Sequence, residues 1–129
     1  MAGNVVTDLY QWMPGHGENH LEVRQDGLDL TVEVAYDGKE NTVETKTLIF
    51  KTVSYYSVGA FPGVDAIGYK YNYKFDIGCI IKTESSGLSD EWKKYWGSHS
   101  QDRNCNHYVS FWDSENQVIH VVAESVEVV

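Results

Sequence analysis

The sequence predicts a mainly β fold of the α+β class, an antiparallel meander or sandwich with one main helix near residues 88–97. Three observations support this prediction. Apolar and polar residues alternate along several segments, as they do in strands with one buried face. Two Asp-Gly pairs, at positions 26–27 and 37–38, separate such segments, and this pair favours tight turns between strands. A helical spacing of apolar residues is clear only from Leu88 to Trp96.

The first segment, residues 1–19, combines an apolar start with helix-breaking residues. Pro14 and Gly17 predict that a short helix or turn gives way to a loop, with Leu9 and Trp12 packed inside. The clearest strand signals begin after this loop.

A hairpin is predicted from residue 20 onward. Leu21 and Val23 alternate with polar residues, and Asp26-Gly27 then supplies a turn in which glycine adopts a positive φ. The second strand is the clearest in the chain. Its apolar residues recur at every second position: Leu28, Leu30, Val32, Val34 and Tyr36. This pattern predicts a sheet with one buried side and one side that faces solvent.

The pattern changes after the Asp37-Gly38 turn. Alternation from Val43 onward is interrupted by Leu48-Ile49-Phe50, which indicates either a β-bulge or a segment buried on both faces. Residues 55–68 then combine aromatic residues with glycine and one proline, as is typical of a loop. We therefore expect the longest irregular stretch of the chain at this point.

An aromatic segment precedes the helix. Tyr69, Tyr71 and Tyr73 alternate with polar residues and predict a strand, which continues as a buried segment through Cys79. Such a tyrosine stripe either packs into the core or forms an open binding face. If the face is open, we expect it to bind a protein surface or a ring-bearing ligand, with His107 as a fourth binding residue.

The helix and a last hairpin complete the predicted fold. Ser89 is expected to cap the helix, and Gly97 is expected to end it. Residues 106–112 and 117–129 are predicted to pair as the final hairpin. Adjacent apolar residues in its second strand indicate that part of this strand is buried on both faces.

Length and composition indicate one acidic domain, residues 1–129. Ten basic and nineteen acidic residues give a formal net charge of −9, which disfavours nucleic acid and anionic membranes as partners. The start of the sequence has no basic and apolar signal region, so we expect a cytoplasmic protein. Cys79 and Cys105 are too few for a disulfide scaffold, and we expect both to be reduced.

No complete metal, cofactor or catalytic motif is found in the sequence. His16 and His20 are four residues apart, but Pro14 argues against a helix that would bring them together. Cys105 and His107 would share a strand face, yet no second ligand pair completes a metal site, and proximity alone does not make a catalytic pair. We therefore predict no metal, no cofactor and no catalytic residue.

Carboxylates are expected on the solvent-facing side of the sheet. Asp29 and Glu33 share one strand, and Glu40 and Glu44 lie near the next strand, so the four side chains can converge. Such a face would attract a basic partner protein, mainly by speeding association. An exposed sheet edge would instead pair with a second copy of the chain and give a homo-oligomer.

Resemblance to known proteins rests on three stretches of sequence: HYVSFWDSENQVIHVVAESVEVV, LTVEVAYD and TLIFKTVSYY. They resemble small β-rich bacterial proteins of uncharacterised function, some of which are immunity proteins. The resemblance concerns the general pattern of strand and turn residues, and it identifies no functional residue. It implies a cytoplasmic, partner-binding protein whose acidity suits a basic target of the nuclease type.

Two functional hypotheses follow from these features. The first is a non-enzymatic binding domain of the immunity type, which neutralises a basic protein. The second is a small-ligand-binding protein or enzyme with a pocket lined by aromatic residues. We expect this pocket between the tyrosine strand and the loop of residues 55–68, with His99, Cys105 and His107 nearby.

Overall fold

The structure is a computed structural model that describes residues 4–15, 17–60, 78–112 and 114–129. The strands of the described part, in chain order, are β1 (Asn4–Asp8), β2 (His20–Asp26), β3 (Asp29–Asp37), β4 (Val43–Lys51), β5 (Tyr55–Ala60), β6 (Cys79–Thr83), β7 (Asn106–Trp112), β8 (Gln117–Ala123) and β9 (Ser125–Val128). Helix α1 (Gly87–Ser98) lies between β6 and β7. Short 3-10 turns occupy Leu9–Gln11 and Lys39–Asn41.

The strands form two antiparallel sheets. One sheet has five strands in the order β1-β6-β7-β8-β5, and the other has four in the order β2-β3-β4-β9. Buried apolar side chains from both sheets belong to one core, so the sheets pack face to face as a sandwich. The predicted mainly β, α+β fold with antiparallel pairing and one main helix is confirmed.

The core joins the two sheets through aromatic and aliphatic contacts. Phe50 on β4 meets Tyr108 on β7 edge to face, with ring centroids 5.7 Å apart. Leu9 is fully buried in the same core, and Trp12 packs against the Tyr36 ring at 5.1 Å. The prediction that a turn near the N-terminus packs Leu9 and Trp12 is therefore confirmed.

The β2–β3 hairpin has the predicted position, with one difference in its turn. The two strands pair without interruption up to Asp26 opposite Asp29. Gly27, with a φ of +63°, and Leu28 form the two-residue turn between them. The prediction that Leu28 joins the buried face is wrong, because Leu28 lies outside the strand ladder and is 63% exposed.

Strand β4 is regular where the sequence indicated a bulge. Its pairing with β3 continues without a register shift from Phe50 to Val43. Leu48 and Phe50 are buried, whereas Ile49 points to the other face and is only half-buried. The bulge is therefore excluded: the apolar run arises because a solvent-side position carries an isoleucine.

Two edge strands were not predicted from the sequence. Residues 55–60 form strand β5, which pairs with β8 along its whole length, so the loop prediction is wrong for these residues. Strand β1 pairs with β6, with a register irregularity between Val5 and Thr7. Both strands are held by backbone hydrogen bonds to a neighbour, which glycine and polar residues make as well as any other residue.

The last predicted strand is divided between the two sheets. The chain leaves β8 at Ala123 and enters β9 at Ser125, and the Glu124 N–H donates to the Lys51 carbonyl at 2.9 Å. The prediction of one strand over residues 117–129 is wrong at this crossing. The prediction that part of it is buried on both faces is confirmed, because six successive residues of β8 are buried.

Helix α1 begins with a reciprocal pair of serine hydrogen bonds. Ser86 Oγ accepts from the Ser89 N–H at 3.0 Å, and Ser89 Oγ accepts from the Ser86 N–H at 2.9 Å. This capping box makes Ser86 the N-cap, so the assignment of that role to Ser89 is wrong. The helix ends at Ser98, one residue after the predicted Gly97.

Replacing Gly78 by alanine is expected to destabilise the protein more than replacing Gly27. Both glycines have a positive φ, which costs alanine about 1 kcal/mol. A Cβ on Gly27 meets open space, whereas a Cβ on Gly78 would overlap the Tyr10 ring. Urea unfolding of Gly78→Ala and Gly27→Ala measures the difference in stability. Each substitution is also measured in a Tyr10→Ala background, in which the ring is absent. Equal losses in the parent protein would contradict the close approach of Tyr10.

Candidate functional site

The outward side of the four-stranded sheet carries most of its charge in carboxylates. On this side lie the alternate residues of β2, β3, β4 and β9 that do not face the core. Its charged residues are six acids and two bases: Glu22, Asp26, Asp29, Glu33, Asp37, Glu127, Arg24 and Lys51. None of these eight residues is buried. We call this surface the acidic sheet face.

Two carboxylates of this face stand directly opposite each other where the edge strand β2 pairs with β3. Glu22 on β2 pairs in register with Glu33 on β3, whose other neighbour in the ladder is Thr47 on β4. A basic side chain lies beside this pair: Arg24 Nη1 is 3.8 Å from Glu22 Oε1. Directly opposed like charges destabilise an antiparallel pair, so this arrangement has a cost in stability.

The remaining charges of this face are partly balanced. Lys51 Nζ lies 3.4 Å from Asp29 Oδ2 and 3.6 Å from Glu127 Oε1. The prediction that Asp29 and Glu33 share the solvent-facing side is confirmed. Lys51 thus lies at the Asp29 end of the face, where Asp26 and Asp29 are also opposed, and Arg24 is the basic residue beside Glu22 and Glu33.

The expected convergence with Glu44 is wrong. Glu44 pairs with Tyr36, whose side chain points to the core side of the sheet, so Glu44 belongs to the opposite face from Glu33. Burial raises the pKa of the Tyr36 hydroxyl, and the nearby Glu44 carboxylate raises it further. Glu40 lies in the Lys39–Asn41 turn with a φ of +59° rather than on a strand.

Replacing Glu33 by glutamine is expected to stabilise the free protein by about 0.3 kcal/mol, because it removes the repulsion from Glu22. Thermal and urea unfolding at low salt measure the change. Glu40→Gln is the matched control, since it removes the same charge from an exposed turn and should leave stability unchanged. A loss of stability in Glu33→Gln would show that the opposed pair is not repulsive.

A second cluster of titratable residues is buried beneath the helix. Ser86 Oγ lies 2.9 Å from His107 Nδ1, and His107 Nε2 lies 2.9 Å from His120 Nδ1. The three residues are at most 1% exposed. These hydrogen bonds therefore connect the N-terminus of α1 to the neighbouring strands β7 and β8. We call Ser86, His107 and His120 the buried histidine chain.

The imidazoles of His107 and His120 are both neutral at pH 7. Burial, together with the neighbouring His120, lowers the pKa of His107 to about 3, and burial lowers the pKa of His120 to about 4. A serine beside a histidine is an arrangement found in hydrolases. Here the Ser86 hydroxyl is fully buried and caps α1, so a substrate cannot reach it.

The cysteines and the remaining predicted histidine do not join this cluster. Cys105 Sγ lies 3.8 Å from Ser54 Oγ, and burial raises the pKa of its thiol. His99 caps the C-terminal end of α1 and lies on the surface, 3.0 Å from the Tyr95 carbonyl through its Nδ1. Cys79 and Cys105 do not form a disulfide. Among the described residues, no group of three His, Cys, Asp or Glu is placed to hold a metal ion.

A groove lined by aromatic rings lies where α1 meets β5. Its lining residues are Tyr55, Leu88, Glu91, Trp92 and Tyr95, and its volume is about 340 Å³. The Trp92 ring lies 6.2 Å from the Tyr55 ring and 5.4 Å from the Tyr95 ring, which it meets nearly at right angles. We call it the aromatic groove.

Of the predicted binding residues, His107 alone belongs to the described part of the chain, and it lies in neither surface site. Tyr69, Tyr71 and Tyr73 lie outside the described residues, so their binding role stays a prediction. The same holds for His107, which is buried and bonded to Ser86 and His120. Sequence reasoning missed Tyr95 and Glu91 as site residues, although both lie within the predicted helix, Glu91 directly before Trp92 and Tyr95 about one turn after it.

Comparisons with known proteins assign no relative to this chain. No protein-family model, no curated protein and no solved structure matches it. The resemblance to immunity proteins accordingly stays a proposal. Within the described ranges, no helix is long and apolar enough to cross a membrane. Function must therefore be inferred from the acidic sheet face, the buried histidine chain and the aromatic groove themselves.

Proposed function

We propose that this protein is a non-enzymatic binding domain that binds and neutralises a basic partner protein through its acidic sheet face. The observation that carries the proposal is the direct opposition of Glu22, on the edge strand β2, and Glu33, on β3, on the outward side of the four-stranded sheet. Two carboxylates in this position repel each other in the free protein. A lysine or arginine side chain placed between them would turn that repulsion into attraction.

The surrounding surface supports a protein partner over a small anion or a nucleic acid. Positions next to Glu33 on β3 and β4 hold small or β-branched residues, Thr31, Ala35 and Thr47, so no large side chain covers it from that side. A net charge of −9 speeds the approach of a basic protein and slows that of a polyanion. As part of the same proposal, the protein acts in the cytoplasm against a target of the nuclease type, as immunity proteins do.

The buried histidine chain supports a binding role over a catalytic one. Its serine hydroxyl is inaccessible, and its bonds to the helix N-terminus and to two strands fit a structural function. The buried histidine chain anchors α1 on the five-stranded sheet. The acidic sheet face lies on the other sheet of the sandwich and is free of this constraint.

Affinity capture with matched variants tests the proposal. Immobilised protein, a Glu22→Gln/Glu33→Gln variant and a Glu40→Gln/Asp102→Asn control are exposed to the same extract of the cells that express the protein. The control loses the same two charges from a turn and a loop. We expect the parent protein and the control to retain a protein of pI above about 9 that the Glu22/Glu33 variant retains about tenfold less.

The captured protein must then show electrostatic association. Its association rate with the parent protein should fall steeply as salt rises from about 0.05 to 0.5 M, and the Glu22/Glu33 variant should show a weaker dependence. Equal capture by all three baits, or capture of acidic proteins only, would contradict the proposal.

A further inference from the structure

We propose that the aromatic groove binds a quaternary ammonium group, such as the trimethylammonium head of a small cationic ligand. The site is formed by the rings of Tyr55, Trp92 and Tyr95 with the Glu91 carboxylate at its rim. This inference is independent of the acidic sheet face and goes beyond protein binding.

The three rings line one groove and stand at different angles to one another. Trp92 and Tyr95 meet at 70°, which forms a corner, and the Tyr55 ring lies 6.2 Å from Trp92 with its plane tilted by 31°. A cation is attracted to an aromatic face within about 6 Å of the ring centre, most strongly to indole. One methylated ammonium group in this corner would lie within that distance of more than one ring.

Charge at the rim favours a cation. Glu91 is exposed and forms no ion pair within the described part of the chain. The nearby Lys93 is directed elsewhere, since its ammonium donates to the Glu84 carbonyl at 2.6 Å and lies 4.0 Å from Asp90. The carboxylate therefore remains available to a positively charged ligand beside the rings.

The same helix already holds one cation on an indole. The Arg103 guanidinium lies 3.9 Å above the Trp96 ring, and the Trp96 indole N–H donates to Ser54 Oγ at 2.8 Å. Trp92 lies one helical turn before Trp96 and packs against it, with ring centroids 6.4 Å apart. The ring cluster is thus fixed by contacts with the protein before any ligand binds, which reduces the entropy lost on binding.

The open groove favours a methylated ammonium over a primary one. Tyr95 is 47% exposed, so a bound group keeps part of its contact with water. A primary ammonium is strongly hydrated and loses that hydration on an aromatic face, whereas a trimethylammonium group is weakly hydrated and also buries apolar surface. The groove volume of about 340 Å³ lies at the lower end of the range for small-ligand sites.

Titration with choline chloride, followed by amide and indole NMR signals, tests the inference. The uncharged isostere 3,3-dimethylbutanol and N-acetyl-lysine amide are titrated in parallel at constant ionic strength. We expect choline to shift the Trp92 indole signal with a Kd of roughly 1–10 mM, and each of the other two compounds to bind at least about tenfold more weakly. Tyr95→Leu should weaken choline binding about fivefold and Glu91→Gln about threefold.

Tyr10→Leu is the matched control, because Tyr10 is an exposed tyrosine outside the groove and its loss should leave choline binding unchanged. Equal binding of the uncharged isostere would overturn the role of charge, and equal binding of the lysine compound would overturn the preference for methylated ammonium. Signal shifts remote from residues 88–95, or unchanged affinity in Tyr95→Leu, would overturn the location. None of these results depends on whether Glu22 and Glu33 bind a protein.

Discussion

Lowering the pH from 7.5 to 5 is expected to remove about 4 kcal/mol from the free energy of unfolding through His107 and His120 alone. In the unfolded chain, histidine has a pKa near 6.5 and gains a proton over this range. In the native protein, the pKa values are lowered to about 3 and about 4, so both side chains stay neutral at pH 5. The unfolded state therefore binds more protons than the native state at pH 5. This uptake lowers the free energy of unfolding by about 2 kcal/mol for each histidine.

The sign of this effect fixes its pH window. Stability from the two histidines is complete above about pH 6.5 and is lost as the pH falls from there through the lowered values in the native protein. Urea unfolding at pH 7.5, 6 and 5 measures the loss, and imidazole NMR signals report protonation directly. His99→Gln, which removes a surface imidazole, should show the same loss as the parent protein. Native-state titration of His107 or His120 near pH 6.5 would contradict this result.

Replacing Phe50 by alanine is expected to lower the free energy of unfolding by about 4 kcal/mol, which is the second large effect that we predict. Phe50 is 1% exposed and lies in the core between the two sheets, where a cavity cannot be filled by surface groups. Val43→Ala, at an exposed position of the same strand, should change stability by less than about 0.5 kcal/mol. Urea unfolding of both variants compares the two sites.

A double-mutant cycle between Phe50 and Tyr108 then tests the packing of the two sheets. The two rings meet edge to face, for which we expect a coupling of about 1 kcal/mol. Independent effects of the two substitutions would show that the sheets do not pack through this contact.

Local sequence patterns were sufficient to predict the elements whose structure is determined by their own residues. The β2–β3 hairpin follows from alternation and an Asp-Gly turn, and α1 follows from the spacing of Leu88, Trp92 and Trp96. Strands β1 and β5 are edge strands, and each is determined by the neighbour that completes its hydrogen bonds. Nothing in the residues of β5 distinguishes such a strand from a glycine-containing loop, so the prediction failed there.

The candidate binding surfaces depend on the register in which the strands pair, and this register could not be read from the sequence. Asp29 and Glu33 were assigned to one face correctly because residues two or four positions apart on a strand share a face. Glu44 was assigned to that face wrongly, since its side depends on how β4 pairs with β3. The contact between His107 and His120 likewise depends on the pairing of β7 with β8, and its partner Ser86 depends on where the helix begins.

An NMR titration of the labelled protein with an octalysine peptide tests the central claim, that the acidic sheet face is the surface that binds a basic protein. We predict that amide shifts concentrate on β2 and β3 around Glu22 and Glu33, decrease as salt is added, and are lost in the Glu22→Gln/Glu33→Gln variant. Shifts spread over all acidic surfaces, or centred elsewhere and unchanged in that variant, would contradict it.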